Sequence, residues 1–84
     1  MDSFPRLVAF DIDGTLLRSD GTVAPRVRAA ISSLKHRGCV VVLSTGRPWA
    51  QVERIAEEIG GVDYCVCLNG AVVVDLSRPP PPPP

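Results

Sequence analysis

The chain has 84 residues, 45% of them hydrophobic and 21% charged, which is the composition of one small globular domain or of part of a larger one. Its 9 basic and 9 acidic side chains cancel, so net charge gives no reason to expect a nucleic-acid partner. Apolar runs such as Cys39–Leu43 are far too short to cross a bilayer, so we expect no membrane partner. Three cysteines cannot complete a disulfide framework, and we therefore expect the protein in the reducing cytoplasm.

The first half of the chain predicts a strand, a loop and a helix. Leu7–Phe10 is a short apolar run that we assign to a buried strand, and residues 13–22 are rich in turn-forming aspartate and glycine. Pro25 suits the first turn of a helix, and Gly38 suits its end. Between them, apolar residues recur at helical spacing: Val27, Ala30, Ile31 and Leu34.

The second half predicts another helix and three more strands. Cys39–Leu43 is a second apolar strand, and residues 44–48 form a turn. The helix that follows ends at a pair of glycines and has its apolar residues at Val52, Ile55, Ala56 and Ile59. Tyr64–Leu68 and Ala71–Leu76 predict the last two strands, joined by Asn69–Gly70, which is a strong signal for a two-residue hairpin.

The element order β-α-β-α-β-β predicts an α/β fold with a Rossmann-like, largely parallel sheet. Strands and helices that alternate imply parallel strands joined by right-handed crossovers, and such sheets bind ligands at the carboxyl ends of their strands. Four polar residues lie within three positions of the last apolar residue of a predicted strand: Asp11, Asp13, Thr45 and Asn69. We therefore expect these four residues to meet at one edge of the sheet.

Asp11 and Asp13 are the strongest candidates for chemistry. Two carboxylates this close repel each other unless a cation lies between them or one is protonated, and hard oxygen ligands favour magnesium. A carboxylate can also attack phosphorus and form an aspartyl-phosphate. The alternative is a solvated turn in which Asp11 caps the next segment, because aspartate and glycine both favour turns.

Three segments resemble motifs of the haloacid dehalogenase (HAD) superfamily of hydrolases. Residues 10–17, FDIDGTLL, resemble the family's first motif, and residues 41–48, VVLSTGRP, resemble its second in the form found in Cof-type sugar phosphatases. Residues 69–71, NGA, match the sequence that follows the third strand in the same subgroup. The order and spacing agree over roughly residues 6–76. The phosphomutases of the superfamily share the first motif, but their second motif differs from residues 45–48 here.

The resemblance implies a Mg²⁺-dependent phosphohydrolase that acts on small phosphorylated metabolites. Asp11 would be the nucleophile and a metal ligand, and Asp13 would be the general acid and base, with its backbone carbonyl on the metal. Thr45 and Gly46 would bind the transferring phosphoryl group, and Asn69 would contact phosphate or substrate. Arg47 would be either a substrate contact or a structural charge.

The third and fourth motifs and the cap domain of the family have no counterpart in this sequence. The family's third motif supplies a basic residue, and its fourth supplies an acidic pair that completes the metal site; both follow a cap domain. The only lysine, Lys35, lies in the first helix. We therefore expect a partial HAD-type core in residues 1–76 that lacks the C-terminal part of the core and the cap, and that is inactive by itself. In such a fragment the first strand, Leu7–Phe10, would be an apolar edge strand without a neighbour on one side.

The last residues, 77–84, form a separate polyproline tail. Pro79–Pro84 should adopt polyproline II, and the tail could bind a partner with an aromatic-lined groove. The alternative to an enzyme is therefore a non-catalytic truncated product or an interaction peptide built on this tail. The three cysteines could suggest a zinc site, but no fourth ligand is evident, and we expect packed, reduced thiols.

Overall fold

A computed structural model of the chain describes residues 6–77; the polyproline segment predicted beyond them lies outside the described residues. Four strands and two longer helices alternate in the predicted order β-α-β-α-β-β. The elements in chain order are β1 (Leu7–Asp11), α1 (Pro25–His36), β2 (Val40–Ser44), α2 (Trp49–Ile59), β3 (Tyr64–Cys67) and β4 (Val72–Asp75). No helix among these residues is long and apolar enough to span a membrane.

The strands form one sheet in the order β1-β2-β3-β4. β1, β2 and β3 are parallel, and β4 returns antiparallel to β3. Phe10 pairs with Leu43, which in turn pairs with Cys65, so these three side chains share one face of the sheet. This is the α/β, Rossmann-like arrangement that the sequence predicted.

The hydrophobic core lies between the helices and one face of the sheet. Alternate strand residues are buried there together with the apolar stripes of both helices. The largest fully buried side chains of these elements are Ile31, Val41, Leu43, Val52, Cys65 and Cys67. α1 begins at Pro25 and ends near Gly38, where φ is +79°, as predicted.

β1 is an edge strand, as expected for a core that lacks its C-terminal part, although the apolar run by itself suggested a buried strand. It lies at one edge of the sheet, with Leu7 57% exposed and Ala9 also exposed. At the opposite edge, Val73 of β4 is 63% exposed. An apolar run shows only that a strand can be buried; among the described residues, no strand lies beyond β1 and no helix lies over the second face of the sheet.

Several predicted boundaries shift by a residue or two. β2 begins at Val40 and includes Ser44, which had been assigned to the turn, while β3 ends before Leu68. Residues 68–71 separate β3 from β4, so the hairpin is longer than the two residues predicted. The predicted loop 13–22 is also partly ordered: residues 12–16 form one irregular helical turn, and Leu17 bridges to Val23.

Candidate active site

The sheet brings the predicted polar residues to the carboxyl edge of its parallel strands. Asp11, the last residue of β1, pairs with Ser44, the last residue of β2. Thr45 follows β2 directly, and Asn69 lies in the turn after β3. Ser44 is the rim residue that the sequence analysis missed, because a serine after an apolar run was assigned to the turn although it continues the strand.

The turn after β1 holds both aspartates outside the core. Its two apolar residues, Ile12 and Leu16, are buried in the core cluster, which anchors the turn from below. Gly14, with φ +79°, takes the left-handed conformation that the turn needs. Because Ile12 and Leu16 point inward, Asp11 and Asp13 are left exposed at the edge of the sheet.

Asp13 forms an ion pair with Arg47 across the rim. Arg47 Nη2 donates to Asp13 Oδ1 at 2.5 Å. Nearly half of each side chain remains exposed, so solvent screens the pair and its contribution to stability is about 0–1 kcal/mol. The contact joins the two sequence motifs directly, since Asp13 belongs to the first and Arg47 to the second.

Thr45 is the one buried polar residue of the rim, with 4% of its surface exposed. Its backbone N–H donates to Val66 O at 2.9 Å, and its hydroxyl oxygen accepts a hydrogen bond from the backbone N–H of Arg47 at 3.0 Å. Because the oxygen accepts from Arg47, the hydroxyl proton is left as a donor. Two hydrogen bonds therefore fix the position of Thr45, and its hydroxyl group can still donate a hydrogen bond to a ligand.

The turn after β3 packs onto the turn after β2. Leu68 and Asn69 both have left-handed backbones, with φ of 50° and 54°, and their N–H groups donate to Arg47 O and Thr45 O, each at 3.2 Å. A Cβ placed at Gly46 would lie 3.2 Å from Asn69 Oδ1. The absence of a side chain at Gly46 therefore lets Asn69 pack against it. This contact was not predicted from the sequence, which assigned Gly46 to phosphate binding.

Asp11 and Asp13 supply oxygen atoms of the type that magnesium prefers, but not a full ligand set. Within residues 6–77 no group of three or more His, Cys, Asp or Glu side chains comes together. Magnesium commonly keeps several waters and uses one or two carboxylates, so the two aspartates fit it as part of a coordination shell. The other ligands would have to be water or groups outside the described segment.

Lys35 lies away from this rim, as the sequence analysis expected. Its Nζ donates to Asp63 Oδ2 at 2.6 Å, just before the amino end of β3, and the same oxygen accepts from Val41 N–H at 2.8 Å. Partial burial raises the pKa of Asp63, but the two hydrogen bonds and the charge of Lys35 outweigh it, so the pKa is lowered overall. This lysine therefore has a structural partner.

The cysteines are free and buried, as predicted. Cys65 and Cys67 point to the same face of β3, with their sulfur atoms 3.6 Å apart. Burial, the hydrogen bond with Cys67 and the charge of that neighbour raise the pKa of Cys65 to about 12. The thiol is therefore neutral at physiological pH and acts as a small apolar side chain.

The family of haloacid dehalogenase-like hydrolases has a sequence model that matches residues 8–78. Since the match covers most of the chain and includes the aspartate turn, Thr45 and Asn69, the chain belongs to this family. The resemblance noted in the motifs is thereby confirmed.

Curated relatives that match this chain are named as phosphatases. It is 40% identical over 70 residues to the HMP-PP phosphatase of Serratia proteamaculans, covering 83% of this chain and 26% of the relative. It is 37% identical over 73 residues to the 5-amino-6-(5-phospho-D-ribitylamino)uracil phosphatase YitU of Bacillus subtilis, covering 87% of this chain and 27% of the relative. The chain thus spans about a quarter of the length of these relatives.

Solved structures show the same fold. A haloacid dehalogenase-like hydrolase from B. subtilis superposes with a TM-score of 0.78 at 38% identity, over 86% of this chain and 25% of that one. The phosphatase BT1666 from Bacteroides thetaiotaomicron gives 0.77 at 27% identity, over 87% and 27%. The four-stranded sheet is therefore part of a larger fold in these proteins.

Proposed function

We propose that this chain contains the nucleophile half of the active site of a Mg²⁺-dependent phosphohydrolase for small phosphorylated metabolites. The observation that carries the proposal is the exposed Asp11–Asp13 turn, which lies beside a buried Thr45 with a hydrogen-bond donor to offer. Membership of a hydrolase family and the phosphatase names of the relatives support it. The buried free thiols support a cytoplasmic location.

In the first step, a carboxylate oxygen of Asp11 attacks the phosphorus of a phosphate monoester. The new bond joins Asp11 to phosphorus, the ester P–O bond breaks, and Asp13 donates a proton to the leaving oxygen. Thr45 Oγ1 and the side chain of Asn69 are the donors on the rim for the phosphoryl oxygens. The products of this step are an alcohol and an aspartyl-phosphate.

In the second step, water attacks the phosphorus of the aspartyl-phosphate. Asp13 accepts a proton from that water, the bond from Asp11 to phosphorus breaks, and inorganic phosphate leaves. Arg47 holds Oδ1 of Asp13, so Oδ2 is the atom suited to exchange the proton. Arg47 is thus a positioning residue for the acid and base.

Magnesium would be held by the Asp11 carboxylate and the Asp13 carbonyl, and when bound it supplies positive charge that offsets the charge of the phosphoryl oxygens. Phosphoryl transfer depends on positioning and electrostatic stabilisation more than on covalent chemistry by the protein. The chain brings the nucleophile, the acid and base, and two donors. We propose that the further positive groups that phosphoryl transfer needs come from polypeptide equivalent to the part of the relatives that this chain does not match.

A chimera tests this function directly. Residues 6–77 would replace the matching segment of the B. subtilis YitU phosphatase, with which the chain is 37% identical. We expect the folded chimera to hydrolyse the substrate in that relative's name in the presence of Mg²⁺, and the Asp11→Asn chimera to have no activity. A chimera that folds but is inactive, or an active Asp11→Asn form, would contradict the proposal.

A further inference from the structure

A groove of about 580 Å³ lies between α2 and β4. It is lined by residues of α2, of the turn that follows it and of the end of β4, and it shares none of the rim residues of the candidate active site. Its apolar lining includes Trp49, Val62, Val74 and Leu76, and three acidic residues also line it, Glu53 and Glu57 on α2 and Asp75 at the end of β4.

The two glutamates give this groove a negative side. Glu53 and Glu57 are exposed and one helical turn apart, so they lie on the same face of α2. Within residues 6–77, Lys35 pairs with Asp63 and Arg47 pairs with Asp13. Neither of these two cations therefore neutralises the two glutamates. An apolar groove with two carboxylates along one wall suits an occupant that is apolar and has a positive charge at one end.

The chain itself leaves β4 at the edge of this groove. Leu76 N–H donates to Asp63 O at 2.8 Å, which fixes the last groove residue in place. The N–H and hydroxyl of Ser77 then donate to Asp75 Oδ1 at 2.9 and 2.6 Å, and the chain bends there. The next residues in the sequence are Arg78 and six prolines.

We propose that the α2–β4 groove binds residues 78–84 of the same chain. Arg78 would lie near Glu57, which is the glutamate nearer the end of α2, and the prolines would run along the helix toward Trp49. Six prolines in polyproline II span about 19 Å, and the 11 residues of α2 span about 16 Å, so the tail is long enough to reach Trp49. Aromatic-lined grooves bind this conformation at low entropic cost because it is already formed.

Trp49 is the only tryptophan in the chain, so its fluorescence reports on this groove directly. The test compares the 84-residue chain with a variant in which Pro79–Pro84 are all serine, after far-UV circular dichroism has shown equal secondary structure. We expect the serine variant to emit at longer wavelength and to be quenched more strongly by acrylamide. Identical emission and quenching in the two chains would overturn the proposal.

A charge reversal provides a second test that leaves the prolines intact. Glu57→Lys should shift the emission in the same direction as the serine tail, and adding Arg78→Glu should restore it. Glu58→Lys is the matched control, since Glu58 is exposed on the same helix but does not line the groove. An equal effect of Glu58→Lys would refute the proposal, and emission that depends on chain concentration would show that the tail binds another copy instead.

Discussion

Gly46 and Asn69 meet at the rim of the sheet, and a side chain on the glycine would be crowded by the Asn69 side chain. A Cβ at position 46 would lie 3.2 Å from Asn69 Oδ1. The left-handed backbone of Asn69 is held by its hydrogen bond to Thr45 O at 3.2 Å, so only the side chain of Asn69 can move aside. The turns that follow β2 and β3 therefore pack closely against each other, through this contact and the hydrogen bond.

We expect Gly46→Ala to destabilise the protein by about 1 kcal/mol, the low end for overpacking, because the exposed Asn69 side chain can give way in part. Asn69→Gly removes the side chain that the new methyl group would meet and keeps the left-handed backbone available. A double-mutant cycle by urea denaturation should therefore show that Gly46→Ala costs less in the Asn69→Gly background. Strictly additive effects would contradict the contact.

The 84-residue chain by itself should release no phosphate from p-nitrophenyl phosphate, with or without Mg²⁺. Within residues 6–77 the rim offers a metal only two aspartates, and Lys35 is held by Asp63 away from it. Asp11→Asn is the control for contaminating phosphatase. Activity that requires Mg²⁺ and disappears in Asp11→Asn would show that self-association or another route supplies the missing groups.

The pair formed by Lys35 and Asp63 should make stability depend on acid pH. The pKa of Asp63 is lowered from 3.8, so this stabilisation is complete above the unfolded pKa and is lost as pH falls through the lower folded value. Lys35→Met should cost about 1 kcal/mol at pH 7 and less at pH 2–3. Urea midpoints measured at both pH values test this, with the exposed Glu58→Gln as control. An equal cost at both pH values would contradict it.

Cys65 should be inert to alkylation in the folded chain. Its pKa of about 12 leaves almost no thiolate at pH 8, and burial blocks access. We expect iodoacetamide to label Cys65 only in denaturant, whereas a Ser33→Cys variant, exposed on α1, should react at once. Mass spectrometry of the labelled peptides makes the comparison. Native labelling of Cys65 as fast as of the introduced cysteine would contradict the buried placement.

The element order and both helices were predictable because their signals are local. Pro25 and Gly38 bound α1 whatever lies around them, and the apolar spacing determines which side of each helix is buried. The edge position of β1 was predictable from the missing part of the core, whereas Leu7–Phe10 by itself suggested a buried strand, since burial depends on the layers next to the strand. Ser44 was assigned to the turn because only its pairing with Asp11 shows that it belongs to β2.

The site was predictable in position but not in its contacts. The parallel topology alone brings Asp11, Thr45 and Asn69 to one edge. The ion pair between Asp13 and Arg47 joins residues 34 positions apart, and no local pattern indicates it. The left-handed backbone of Leu68 is uncommon for such a residue, so neither the Asn69 turn nor its contact with Gly46 could be foreseen.

The most direct test of the account is the identity of the phosphorylated residue in the YitU chimera. Asp13→Asn removes the base that activates water, and general acid–base help is typically worth about 10²–10⁴-fold. The substrate is p-nitrophenyl phosphate, because its leaving phenolate does not need the proton that Asp13 would donate in the first step. A brief reaction of the Asp13→Asn chimera with this substrate and Mg²⁺, quenched in acid and analysed by peptide mass spectrometry, should therefore show an acyl phosphate on Asp11. Phosphate on any other residue, or equal labelling when Asp11→Asn is added, would contradict the assignment of Asp11 as the nucleophile.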